Sequence, residues 1–201
     1  MRHVKKLMSI ASPETGGALL LDGASGMIDV RICDLLRIRN GCYAFQGALH
    51  IYSSMEVLFV SQVLGRSEYA VSALPSNSTP FAENVFGEQF FLGPDGCGRL
   101  DMESGEIEGL GDNIDEWARM ILEDYEYLTG SELAFQWQKK NRPLNSGERL
   151  FPIVPFVMGG EFEVSNLKAK DWNDGFRARE SIYVQVRDVP DGQKITFEVV
   201  E

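Results

Sequence analysis

The sequence predicts a mixed fold, an antiparallel sheet with helices packed on it, within one domain. Three observations predict it. Two turn signals divide residues 81–110 into a meander, and apolar residues at helical spacing follow it directly. No internal repeat or low-complexity linker breaks the 201-residue chain.

The meander opens with the apolar stretch Phe81 to Leu92, read as its first strand. Gly93-Pro94-Asp95-Gly96 turns the chain, because glycine takes positive φ without steric cost. Cys97 to Met102 reads as the return strand, Glu103-Ser104-Gly105-Glu106 as a second turn, and Ile107 to Leu110 as a third short strand. Asp112 is placed to cap a helix running to about Tyr127. Ile114, Trp117, Ala118, Ile121, Tyr125 and Leu128 recur at three- and four-residue spacing and mark its buried face. At about 100° per residue, Asp115, Glu116, Glu123 and Glu126 fall on the opposite side. Thr129 and Glu132 have the spacing of a capping box, so a second helix starts at once and carries Leu133, Ala134 and Trp137.

The flanking segments are read in the same way. Residues 1–26 form an irregular N-terminal arm, with Leu19-Leu20-Leu21 as a short strand between glycine-rich stretches. Met27 to Arg39 is a helix with Ile28, Ile32, Leu35 and Leu36 on one face and Asn40-Gly41 as the stop. Cys42 to Tyr52 alternates as one half-buried strand, Tyr43, Phe45, Leu49 and Ile51 against Gln46, His50 and Tyr52. Residues 53–80 give no clear period: Val57 to Val60 fits strand or helix, and Pro75 to Pro80 is a loop. Asn141-Arg142-Pro143 ends the second helix. Two prolines keep Phe151 to Gly160 out of a central strand and leave a buried extended crossing or an edge. Asn166 to Lys170 is a strand, Trp172 to Arg187 a helix weakened by Gly175, and Lys194 to Val200 a last strand.

Composition narrows the function classes. The chain is 44% hydrophobic, enough for a real core, and carries a net charge of −11. Residues 101–130 hold ten acids and one base, Arg119, a local balance of −9. Residues 131–201 hold eleven acids and ten bases. A single-sign patch of this kind repels nucleic acid and steers a basic partner towards itself. A merely solvated helix face with acidic turns accounts for the same charges. Three cysteines, Cys33, Cys42 and Cys97, form no CxxC and no even framework, which fits a reducing compartment. No stretch approaches the roughly 20 apolar residues of a membrane span, and the run after the basic residues Arg2 to Lys6 is too short for a signal-peptide core. A cytoplasmic protein without membrane contact is expected.

A catalytic set is hard to assemble. The two histidines, His3 and His50, cannot build a His-rich metal site. No GxSxG elbow, Walker loop or GxGxxG occurs. Ser165-Asn166-Leu167-Lys168 fits SxxK without any companion motif. Asp112, Asp115, Glu116, Glu123 and Asp124 could pair or bind a divalent cation but lack calcium-loop spacing. Trp117 and Trp137 read as core, with Trp172 open as a binding aromatic. No metal and no cofactor are expected.

Asn40-Gly41-Cys42-Tyr43-Ala44-Phe45-Gln46-Gly47-Ala48-Leu49-His50-Ile51-Tyr52 resembles the asparagine-glycine, aromatic and glycine signature of the SUKH superfamily. That group includes bacterial toxin-immunity proteins and a yeast regulator of cell-wall synthesis. Phe81 to Leu92, the Asp95-Gly96 turn, Asp101 to Glu106, and Gly147 through Gly160 also resemble bacterial members, so the likeness spans about residues 27–52 and 81–200. It implies an α+β fold, a mostly antiparallel sheet with helices around it, and a non-enzymatic function. That function is binding and neutralising a cognate polymorphic toxin, often a nuclease or deaminase, inside the producing cell. The expected interface is the face carrying Asp112, Asp115, Glu116, Glu123 and Glu126, and the expected partner is basic. Two other classes stay open: an intracellular scaffold like the yeast relative, and an enzyme using acidic residues. The oligomeric state is not legible.

Overall fold

A six-stranded antiparallel sheet runs in sequence order. Its strands are β1 (Cys42–Ala44), β2 (Leu49–Ile51), β3 (Thr79–Asn84), β4 (Gln89–Gly93), β5 (Gly96–Leu100) and β6 (Ile107–Gly109). A separate two-stranded sheet pairs β7 (Glu148–Pro152) with β8 (Leu167–Asp171). Around them lie α1 (Arg2–Ile10), α2 (Val30–Ile38), α3 (Ser54–Leu64), α4 (Ile114–Glu123), α5 (Tyr125–Thr129), α6 (Ser131–Lys140) and α7 (Trp172–Val186). The structure, a computed structural model, describes residues 1–20, 28–67, 73–187 and 189–190. The fold is α+β, as expected. The strand expected at Lys194–Val200, together with Leu21 and Met27, lies outside the described residues.

Strand alternation gives the large sheet two chemically different faces. Cys42, Ile51, Ala82 and Phe90 sit opposite one another across four strands and form an apolar row. Trp117 of α4, fully buried, meets Phe90 and Phe81 edge-on at 5.7 and 4.8 Å. Val4, Leu7 and Met8 of α1 and Ile32, Leu35 and Leu36 of α2 complete this core. The next row, Tyr43, His50, Glu83 and Gln89, is polar and just as deeply set, except for the half-buried Tyr43. Burying such a row is costly unless each group finds a partner. A second apolar cluster of Ala48, Val85, Phe86, Ala134, Trp137, Leu150 and Leu167 lies where α6, β7 and β8 meet.

Several sequence expectations are corrected. The N-terminal arm is irregular only over residues 11–20: before them, Val4, Leu7 and Met8 have helical spacing and bury α1 against α4. Phe81 to Leu92 is a hairpin rather than one strand. Asn84 builds its turn, its Oδ1 accepting from the N–H groups of Phe86 and Glu88, and Gly87 takes φ +76°. Cys42 to Tyr52 likewise folds back on itself, through a 3₁₀ turn in which Phe45, Gln46 and Gly47 all have positive φ. Val57 to Val60 lies in α3, started by a capping box between Ser53 and Glu56. Leu19 and Leu20 form no strand.

The central helix also differs from its reading. Asn113, not Asp112, caps α4, its Oδ1 accepting from Asp115 and Glu116 N–H at 3.0 and 3.1 Å. The helix stops at Glu123, and a distorted Asp124 separates it from α5. Gly130 then sits in the left-handed region at φ +68°, where a Cβ would lie 2.5 Å from the Phe86 ring. Gly130, rather than a Thr129–Glu132 capping box, links α5 to α6. The helix from Trp172 and the strand at Leu167 stand as expected.

Candidate protein-binding surface

The five acidic residues of the expected interface are not equivalent. Asp115 turns inward to α1: its Oδ1 accepts from the backbone N–H groups of His3 and Val4 at 2.8 and 3.0 Å. Helix α1 has no side-chain cap of its own, so this carboxylate serves as one from a distance. Burial pushes the Asp115 carboxyl up, but the bonds from Val4 and His3 more than offset that and hold it below its ordinary value. His3 is therefore anchored, its Nδ1 3.2 Å from Asp115 Oδ2. Glu116 is half-buried and accepts the Asp112 N–H at 3.0 Å, a local closure of the α4 entry.

Asp112, Glu123 and Glu126 are the exposed members. Glu123 is exposed and pairs with Arg119 one turn earlier at 2.5 Å. Asp124, Tyr125, Glu126 and Tyr127 continue as an exposed ridge. Its aromatic rings are fixed from below. Tyr125 stacks on Phe45 at 4.9 Å, while Tyr127 lies under the Arg99 guanidinium and accepts from it at 2.9 Å.

A second surface was missed by sequence reasoning. The edge reading holds for Phe151 and Pro152, which end β7 of the two-stranded sheet; past them the chain is not a buried crossing but a loop with Ile153, Val154, Val157, Met158 and Phe162 all exposed. Pro152 ends β7 opposite Leu167, and Pro155 was the signal that the chain beyond it leaves the ladder. The loop is tied at its neck by Asn166. Its Oδ1 accepts the Val154 N–H at 2.8 Å, and its Nδ2 donates to the carbonyls of Val154 and Glu161 at 2.9 and 3.0 Å. Phe156 and Phe162 stack at 3.9 Å, and both meet Phe86 edge-on.

Beneath this loop lies charged interior. Arg179 of α7 donates to the Phe86 carbonyl and lies 3.5 Å from Glu103. Glu103 in turn accepts the Val157 N–H at 3.2 Å. Burial pushes the Glu103 carboxyl up despite Arg179. Arg149 of β7, fully buried, reaches Glu83 at 2.6 Å. His50 stands between two carboxylates, its Nδ1 3.1 Å from Glu83 and its Nε2 3.3 Å from Glu56. Tyr52 donates to Gln89 at 2.8 Å, and Tyr43 stacks on His50 at 4.2 Å. The network takes up every member of the polar row and joins the two sheets.

Other candidates have structural settings. Trp117, Trp137 and Trp172 are all packed, Trp172 against Phe176 at 5.3 Å. Burial pushes the thiols of Cys42 and Cys97 up to about 11 and about 12, far from thiolate reactivity. Ser165 of the SxxK pattern faces Glu163, and Lys168 is exposed on β8. Among the described residues, no group of three or more His, Cys, Asp or Glu side chains is placed to hold a metal ion. Gly87, Met102, Phe151, Trp172, Phe176 and Arg179 line a narrow crevice with no room for a water molecule. No described helix is long and apolar enough to cross a membrane.

Neither a family model nor a curated protein matches the chain. Among solved structures, the chain is similar to the crystal structure of Atu4351 from Agrobacterium tumefaciens. The TM-score is 0.55 at 15% identity, over 84% of this chain and 82% of that one. That likeness is one of fold.

Proposed function

We propose that this protein is a non-enzymatic immunity protein that binds and neutralises a cognate bacterial toxin in the cytoplasm of the producing cell. The resemblance to the SUKH superfamily supplies the class. The observation that carries it to this chain is the ridge at α4–α5, where Glu123, Asp124 and Glu126 stand exposed beside Tyr125 and Tyr127. Acids interleaved with exposed tyrosines suit a protein partner: the rings supply contact area and the charges set orientation and encounter rate. The sign of the ridge fits a basic partner, such as a nuclease or deaminase whose own substrate is polyanionic. By covering that partner's positive cleft, an acidic inhibitor competes with the nucleic acid itself.

The test is co-expression with the C-terminal domain of a large secreted protein encoded beside this chain's gene. Growth rescue by this chain is expected, together with a stoichiometric complex that loosens with salt. Reversing the exposed Glu123, Asp124 and Glu126 to lysine should slow association by about tenfold or more at low salt. Absence of rescue and of complex formation would sink the reading.

A further inference from the structure

The acidic ridge leaves the β7–β8 loop unexplained. Ile153 is 64% exposed and Phe162 62%, with Val154, Val157 and Met158 at 40–46% in the same ten residues. Single exposed apolar side chains are ordinary, whereas five within ten residues of one loop point to a contact site. The loop is also held in one shape, by three Asn166 side-chain bonds at its neck, the Val157–Glu103 bond and the Phe156–Phe162 stack on Phe86. A loop fixed before binding loses little freedom when a partner arrives, so its apolar contacts count almost fully towards affinity.

We propose that residues 153–162 form the apolar centre of a docking surface whose occupant is a basic protein with its own apolar patch; this rests on the toxin-binding reading above. Charge selects the occupant. Residues 152–166 contain Glu161 and Glu163, both exposed, and no base. The loop rests on Glu103, whose buried carboxylate is paired with Arg179, so the outward charge of the loop is that of Glu161 and Glu163. Its aromatic stack meets Phe86, which packs under Gly130 at the end of the acidic helices. Lys168 and Lys170, exposed on β8 at the loop's stem, are the bases nearest in sequence beyond it. An apolar centre rimmed by charge is the anatomy of a protein interface. A second copy of this chain, itself at −11, would bring like charge to the same rim, and an anionic lipid surface would do the same.

The experiment measures affinity of the full chain for the neighbouring toxin domain at low and high salt. It uses wild type, I153D/V157D, and V30D on α2 as an exposed control. The new acids would strengthen a purely electrostatic attraction, so a loss identifies apolar contact. The loop variant is expected to bind at least tenfold more weakly at both salts, with V30D unchanged. Thermal melting checks the fold, and I153S/V157S replaces the aspartates if they unfold the chain. Wild-type affinity in the loop variant, or equal weakening by V30D, overturns the docking site and leaves the toxin-binding reading standing. No binding by wild type overturns both.

Discussion

Arg149 Nη2 lies 2.6 Å from Glu83 Oε1, with the two side chains 2% and 3% exposed. The pair joins the two sheets, since Arg149 belongs to β7 and Glu83 to β3. A backbone bond, Leu150 N–H to the Val85 carbonyl at 2.8 Å, runs beside it. Arg149 also donates to the Glu148 carbonyl at 2.6 Å and covers the Tyr43 ring. Desolvation raises the cost of the Glu83 charge, yet Arg149 and His50 more than compensate and keep its carboxyl below the ordinary value.

Removing one partner of such a pair is therefore far more harmful than removing both. R149M should cost about 3–5 kcal/mol in urea unfolding, because it leaves Glu83 charged and dry. E83Q/R149M should be less destabilised than the sum of its single changes, a coupling that a double-mutant cycle reads directly. Additive single effects would mean that the pair does not specify how the sheets dock.

Acid should weaken the fold through Glu56. Burial pushes this carboxyl up, but the bond and charge of His50, with bonds from Ser53, outweigh it and hold it at about 2. A carboxyl held below its ordinary 4.5 stabilises the fold fully above that pH and loses its contribution as pH falls towards about 2. The stability gap between wild type and E56Q should accordingly be widest near neutral pH and shrink across that window. Denaturation midpoints measured through it would show a constant gap if Glu56 were uncoupled.

How much of this was legible depends on what each residue's partner was. Local signals served well over short spans: the turn at Asp95-Gly96 and the periodicity from Ile114 to Ile121 are read within one segment and placed their elements, whereas the break at Asp124 leaves Tyr125, read on the buried face, exposed. The Ser53–Glu56 box was equally local and was overlooked because the apolar run after it lacks a clean stripe. The chain reversals at Phe45–Gly47 and Asn84–Gly87 were hidden because alternation continues on either side of a tight turn. Asp115 read as one more acid on a charged face, since nothing in its neighbourhood shows that its partners are His3 and Val4. Arg149 and Glu83, 66 positions apart, are meaningful only once β7 meets β3.

Gly175 gives a prediction of sign. In a bare helix, Gly to Ala stabilises by about 1 kcal/mol. Here a Cβ at position 175 would lie 1.9 Å from the Phe151 ring, so α7 could not keep its seat on β7. Overpacking costs roughly 1–3 kcal/mol and more when backbone must move. G175A should therefore lower the melting temperature, and F151L in the same chain should recover part of the loss. A more stable G175A would show that the helix is not seated this closely.

The same reasoning separates Asp115 from Glu123, two acids that sequence placed on one face. Losing a cap costs about 0.5–2 kcal/mol, and Asp115 caps α1 through the N–H groups of His3 and Val4. D115A should lower stability by that amount and speed hydrogen exchange through Arg2–Ile10, while toxin affinity at matched folded fraction stays at the wild-type value. E123K should do the reverse. Glu123 is exposed and its pair with Arg119 is solvent-screened, so the fold loses almost nothing, whereas association with a basic toxin should slow and become less salt-dependent. If D115A weakened binding and left α1 protected, the carboxylate would belong to the interface after all, and the ridge would extend to the start of α4.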